Sequence, residues 1–384
     1  MLSLTKTYTH MKRYGWIYEK IYSLDNLILA HHNARKNKAF YKEVKEFNRD
    51  EVWFALKLQK LLKDWTYKIN PEDYKVQKIR DRTKERELYI LEYMPHRPIQ
   101  WAILQQIEPI LIKTFTNFTC ASIPWRWNKR IQNLMEKYLK DKEWTKYCLK
   151  MDIKQYYPSI NHSILKQLLR KKFKDKRLLE LLDMIIDSYP KENWLPIWSY
   201  LSQYLANYYL AFFDHRLKEN LWCKYVLRYM DDIVILWGNK DELWYWFKQI
   251  KFYLDNNLKL KIKSNYQVFP VDSRWVDYVW YRYFHWYSLL RKRTCKKFKR
   301  KVTHILLKQS KWQFINYRER ASTNSYIGWL IHCNSYRLYS KYIAPIISSI
   351  QKYYFFIIGK KNKKKFRLYN KKLLRKKWKI NYII

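Results

Sequence analysis

Three aspartates stand where short apolar runs stop, and any fold for this chain must bring strand ends to those points. Tyr147 to Ile153 reads YCLKMDI, a strand that finishes at Asp152. Lys224 to Leu236 reads KYVLRYMDDIVIL and alternates on both sides of a polar centre, as a β-hairpin does. Val226 and the run Ile233, Val234, Ile235 form its walls, with Met230 and Asp231 at the turn and Asp232 next. Carboxylates are seldom kept beside buried strands unless they are paired or bound to metal. A bare Asp-Asp pair reads as a polar hairpin turn. With a third acid at another strand end, the set suits two-metal phosphoryl transfer, in which acids hold two ions about 3.5–4 Å apart. Mg²⁺ suits two such strands, since it takes a few carboxylates and leaves positions for phosphate and water.

The surrounding composition points to a polyanionic partner. Of 384 residues, 78 are Lys or Arg and 33 Asp or Glu, a formal charge of +45. With 48% hydrophobic and 19% aromatic residues the chain can bury a core, so disorder is excluded. Charge of this size exceeds what solubility needs, and the 36 Tyr, 19 Trp and 17 Phe suit stacking on bases. No uncharged apolar stretch of about 18 residues occurs, which excludes a membrane span. The first residues lack the apolar core of a secretory signal. Five scattered cysteines (Cys120, Cys148, Cys223, Cys295, Cys333) form no CxxC pair, so a reducing cytoplasm is expected. Helical spacing runs from 19 to 62, with Ser23 or Asp25 and Asn48 or Asp50 as caps. A basic hairpin is expected over 74–91, helices over 162–187 and 199–220, and over 360–379 a basic run that is either a solvated tail or a grip on phosphates.

Tyr-Met-Asp-Asp between β-branched strands, after a strand ending in Asp, resembles the palm of a reverse transcriptase. The resemblance implies an α+β right-hand polymerase fold: N-terminal helices and fingers over 1–145, a palm over 146–284, and a helical thumb with a basic tail over 285–384. It implies that Asp152, Asp231 and Asp232, with the backbone carbonyl of Ile153, hold two Mg²⁺, Mn²⁺ being an alternative. The hairpin near Arg80, with Lys84 and Arg86, resembles the fingers segment that meets the incoming triphosphate. Residues 98–109 resemble the helix that follows it. Tyr157 stands five positions after Asp152, the family's place for the steric gate that rejects a ribose 2′-OH. Residues 272–283 resemble the primer grip and Tyr326 to His332 a thumb segment. The implied partners are dNTPs, a template RNA and the cDNA/RNA duplex.

Ile197 to Gln203, IWSYLSQ, narrows the resemblance. Most reverse transcriptases carry Gln-Gly-x-x-x-Ser-Pro there. An aliphatic residue for the first Gln, and Ser-Gln for Ser-Pro, are similar to the enzymes of diversity-generating retroelements, as is ASIPWRW at 121–127. That group implies misincorporation opposite template adenines, with Ile197 and Gln203 at the nucleotide, and a small basic accessory protein. A side chain without hydrogen-bonding groups at 197 cannot fix the incoming nucleotide as Gln would; simple packing of Ile197 on the palm is the other reading. The alternatives for the whole chain are a retron or defence-associated reverse transcriptase, or a non-catalytic RNA-binding protein that keeps the palm as scaffold.

One imbalance stands apart. The chain has 4 Gly, about 1% where about 7% is usual, and 19 Trp. Trp125, Trp127, Trp198 and Trp280 stand where the resembled motifs carry glycine, and Trp65, Trp194, Trp222 and Trp275 fall where turns are expected. Either each turn has been repacked around an indole, or the gene uses UGA for glycine and has been read as tryptophan.

Overall fold

The computed structural model describes residues 12–343 except 82–83, 127, 190–192, 197–198, 312 and 331. Ile197, Trp127, Trp198 and the basic run at 360–379 therefore lie outside the described residues. So do the side chains of Arg80, Lys84 and Arg86, whose backbones are described. The described residues group into two compact units. One comprises residues up to 127 with 149–235 and 240–268; the other comprises 128–148, 236–239 and residues from 269 on.

The first unit begins with the long helical stretch, broken into helices Tyr18–Ile21, Leu24–Ala34, Lys42–Phe47 and Glu51–Lys63. Asp50 caps the last by accepting the Trp53 N–H at 2.9 Å; Ser23 occupies a cap position, but its hydroxyl donates back to the Lys20 carbonyl rather than capping the helix. Leu27, Ala30 and Ala34 are buried in one of these helices, and Ile99, Ile103 and Ile107 in helix His96–Ile112. Asn26 donates to the Ala102 carbonyl and accepts from Gln105 and Gln106, so this packing contains a satisfied polar centre. Strands β1 (Lys75–Asp81) and β2 (Lys84–Ile90) form the expected antiparallel hairpin, pairing Asp81 with Lys84 and Ile79 with Arg86.

Most of a four-stranded sheet, in the order β4-β5-β3-β6, belongs to this unit. Its strands are β3 (Tyr147–Asp152), β4 (Tyr225–Tyr229), β5 (Asp232–Trp237) and β6 (Gln267–Pro270). Val226, Leu227, Ile233, Val234 and Ile235 are almost wholly buried. The helical stretch after β3 is two helices, His162–Lys172 and Lys176–Asp187, because Asp175 starts the second by accepting the Leu178 N–H. Its other oxygen accepts from Ile17 and Tyr18, tying the chain's beginning to this point. The stretch expected over 199–220 also divides, into Tyr200–Tyr209 and Ala211–Glu219.

The second unit contains a three-stranded antiparallel sheet, β7 (Val276–Tyr278), β8 (Tyr281–Tyr283) and β9 (Ser288–Leu290). Helices Lys292–Ser310 and Tyr317–Leu330 follow. The first buries Phe298, Val302 and Ile305 and exposes Lys292, Arg293, Lys296, Lys297, Lys299 and Arg300, a one-sided cationic face. No helix among the described residues is long and apolar enough to cross a membrane.

Candidate active site

The first unit brings the end of β3 against the tip of the β4–β5 hairpin. The Ile153 N–H donates to the Asp231 carbonyl at 3.1 Å, so the two acidic segments are joined through backbone directly beside Asp152. On the other side, residues 261–263 run along the same segment. Lys154 N–H donates to the Lys261 carbonyl at 2.7 Å, and Lys263 N–H to the Asp152 carbonyl at 2.8 Å. This pairing places the Lys263 ammonium 2.6 Å from an Asp152 carboxylate oxygen. Asp152 and Lys263 are about one-third exposed, so the pair faces solvent on one side.

The Asp231 carboxyl is pushed up to about 6, first by burial and then by the negative charge of Asp152; its own backbone N–H and Lys263 oppose the rise. Two carboxyls held this close favour a shared proton or a bound cation. Met230, just before Asp231, has φ 53° and packs its side chain inward. Tyr157, on the short 3₁₀ turn Tyr157–Ser159, points its hydroxyl at the Met230 sulfur, 3.8 Å away. Burial, then Asp231, raises the Tyr157 hydroxyl well above its ordinary value, so it stays protonated.

The hairpin is anchored from beneath by a charge pair. Arg228 on β4 and Asp214 on helix Ala211–Glu219 are both wholly buried. Arg228 Nε and Nη2 donate to the two Asp214 oxygens at 2.7 and 2.6 Å. Thr119 donates to Asp214 at 2.6 Å, and Arg228 Nη1 to Asn207 at 3.2 Å. The same Nη1 reaches the Met230 carbonyl at 3.1 Å, holding the peptide that leads into Asp231. A bidentate pair with its remaining donors satisfied is what a buried Arg requires.

Residues 79–267 match the sequence model of the family described as reverse transcriptase (RNA-dependent DNA polymerase). Residues 79–267 are a reverse transcriptase domain. No curated protein matches the chain. Among solved structures it is similar to telomerase from Candida tropicalis in complex with a fragment of telomeric RNA, at 13% identity and TM-score 0.47. That match covers 78% of this chain and 59% of the other. Telomerase from Candida albicans with such a fragment gives 11% identity, TM-score 0.45, and coverage of 67% and 56%. Apo telomerase from Candida tropicalis gives 13%, TM-score 0.44, and coverage of 62% and 52%. The chain thus spans a little over half the length of these proteins.

Within the reverse transcriptase domain, the structure brings Asp152, Ile153, Tyr157 and Asp231 together, with Asp232 opening β5. Gln203 lies on helix Tyr200–Tyr209, half-buried. Ser199 starts that helix, accepting from the Ser202 N–H and donating to Gln100 at 2.8 Å. Lys84 and Arg86 lie on β2 by backbone register. Beside the β3 end, a cleft of about 300 Å³ is lined by Lys154, Lys259 and Lys261 with Gln155, Ser159 and Asn193.

The family uses divalent metal ions. Among the described residues no group of three His, Cys, Asp or Glu side chains has the arrangement of a metal site. The donor chemistry nevertheless fits a hard cation: all donors are oxygens, three carboxylates and the Ile153 carbonyl, and the charge of Asp152 helps burial to raise Asp231. Lys263 supplies positive charge at that place. Sequence reasoning missed Lys263, Arg228 and Asp214. For Arg228 a signal existed, since a charge inside an apolar strand demands a buried partner.

Proposed function

We propose that this protein is an RNA-directed DNA polymerase that copies a template RNA into cDNA. The observation that carries this reading is the Ile153-to-Asp231 backbone bond, which sets a strand-terminal Asp beside an Asp-Asp hairpin tip within a reverse transcriptase domain. In this reading Asp152, Asp231 and Asp232, with the Ile153 carbonyl, hold Mg²⁺. Bound there, the ions supply activation of the primer hydroxyl and neutralisation of the leaving pyrophosphate. The chain's own groups do the rest. Tyr157 lies against the turn and excludes a 2′-OH by its ring. Lys84 and Arg86 meet the triphosphate, and the lysine-lined cleft suits phosphate groups near the β3 end. The cationic face of helix Lys292–Ser310 grips nucleic-acid phosphates without reading sequence.

The finer reading is a polymerase of a diversity-generating retroelement, error-prone at template adenines and working with a small basic accessory protein. The Ile197–Gln203 sequence supports it, since Ile197 offers the nucleotide no hydrogen bond. The test of the main reading is primer extension on an RNA template with dNTPs and Mg²⁺. The wild-type chain should extend the primer, and the Asp231→Ala/Asp232→Ala variant should not, while retaining RNA. Near-normal extension by that variant would remove the assignment. For the finer reading, Ile197→Gln should lower errors opposite adenine in sequenced cDNA; an unchanged rate would reduce Ile197 to packing.

A further inference from the structure

Among the described residues, eleven that are not glycine have φ between 32° and 76°, and five of these are tryptophan: Trp16, Trp65, Trp125, Trp222 and Trp280. The share of tryptophan in the chain, 19 of 384, would put fewer than one there. No described glycine occupies this region. An L side chain clashes with its own backbone in the left-handed conformation, more severely the bulkier it is, whereas glycine enters freely.

Three of the five sites are turns with a defined demand. After helix Glu51–Lys63, Trp65 N–H donates to the Leu62 carbonyl and Thr66 N–H to Leu61, the paired bonds of a Schellman motif. Trp65 then sits at the position that is usually glycine. In Ile123-Pro124-Trp125-Arg126, Arg126 N–H closes on the Ile123 carbonyl at 3.1 Å. Proline second and positive φ third make a type II turn, whose third residue is usually glycine. Between β7 and β8 the loop is Val279-Trp280, with φ 32° and 76°, closing the Tyr278–Tyr281 pair. Positive φ at both residues is a type I′ hairpin, which favours glycine in second place.

The side chains point the same way. Trp16, Trp125 and Trp222 are 81%, 95% and 78% exposed, so their indoles gain almost nothing from packing. Three tryptophans on ordinary backbone contrast with them. Trp194 and Trp246 are buried, Trp194 against Tyr89 and Tyr189, and Trp101 stacks on Tyr200 at 4.7 Å. Trp194, expected at a turn, is therefore a core residue.

We infer that positions 16, 65, 125, 222 and 280 are glycine in the protein its source makes, because that source decodes UGA as glycine, and that Trp101, Trp194 and Trp246 are tryptophan. The exposed indoles at 16, 125 and 222 are then no stacking platform for bases. The first arm of the test is the gene with peptide mass spectrometry of the native protein. UGA at the five positions, UGG at the three, and glycine in the native peptides is the expected result. UGG at the five positions, or tryptophan in those native peptides, overturns the inference. The second arm compares the chain as written with a version carrying Trp16→Gly, Trp65→Gly, Trp125→Gly, Trp222→Gly and Trp280→Gly. Relief of strain should raise Tm by about 1–2 °C per replacement. An equal or lower Tm counts against it.

Discussion

Two hairpins in this molecule turn through left-handed residues, and they are held in opposite ways. At the β4–β5 tip, Met230 at φ 53° is clamped by Arg228, whose guanidinium binds both the Met230 carbonyl and the buried Asp214. At the β7–β8 tip, Val279 and Trp280 adopt φ 32° and 76°, and the Trp280 ring, 36% exposed, stacks on Trp329 at 5.5 Å. Strain persists where the surroundings over-determine it, and it clusters at functional sites for that reason. The first tip is over-determined by a buried charge network; the second is a turn whose backbone asks for a smaller residue.

The largest effect is expected at the first tip. Asp231→Ala should abolish RNA-templated extension, since it removes one of the three carboxylates proposed to hold the ions, and a primer-extension assay measures this directly. Substantial residual extension would mean that the tip is a turn like the other. Arg228→Leu should come next, destabilising by about 3–5 kcal/mol because Asp214 is left as an uncompensated buried charge. Denaturant unfolding measures the loss, and Arg228→Leu with Asp214→Leu should recover much of it. If the single change costs under about 1 kcal/mol, the clamp is not what holds Met230.

Smaller effects are expected at Tyr157 and Val279. Tyr157→Ala removes the ring lying against Met230 and should raise ribonucleotide incorporation relative to deoxynucleotide by about 10-fold or more. Competition between the two nucleotide types on one template reads that ratio. At the second tip, Val279→Asn should stabilise by about 1 kcal/mol, since asparagine tolerates left-handed backbone where a β-branched residue does not. Thermal unfolding would show it, and a loss of stability would mean that Val279 earns its place by packing.

The pH dependence follows from burial of Asp231. Its folded value of about 6 lies above the ordinary 3.8, so between those values the folded state binds the extra proton. Stability from this group is therefore greatest at low pH and is lost as pH rises through about 6. Asp231→Asn should flatten the stability profile in that window. Divalent-ion affinity should run the other way, weakening as pH falls below about 6, because the ligand must be ionised. Titration of Mn²⁺ binding by paramagnetic relaxation at two pH values tests this.

Much of the site was legible because its chemistry is local. Asp152 at the end of an apolar strand, and Asp231 and Asp232 at a hairpin centre, follow from alternation alone, and β3, β4 and β5 lie where that alternation ends. Helix breaks at Asp175 and Leu210 were not legible, since the apolar spacing runs through them and only the cap bond to Leu178 marks one. The glycine shortage was visible as composition, but composition cannot say which tryptophan carries strain. Trp194 and Trp65 look alike in sequence; one is a packed core residue and the other a helix-terminating turn.

The acids a catalytic centre could use and the hairpin that carries two of them were readable from the residues alone, as was the +45 charge from which a polyanionic partner is expected. Tertiary structure decided that Lys263 faces Asp152, that Asp214 neutralises Arg228, and that Asp231 is buried enough to hold its proton near 6. The physical reason is range. Alternation and turn chemistry act over a few residues, whereas Asp152 and Lys263 are 111 positions apart, and their meeting depends on a backbone pairing set by the whole sheet.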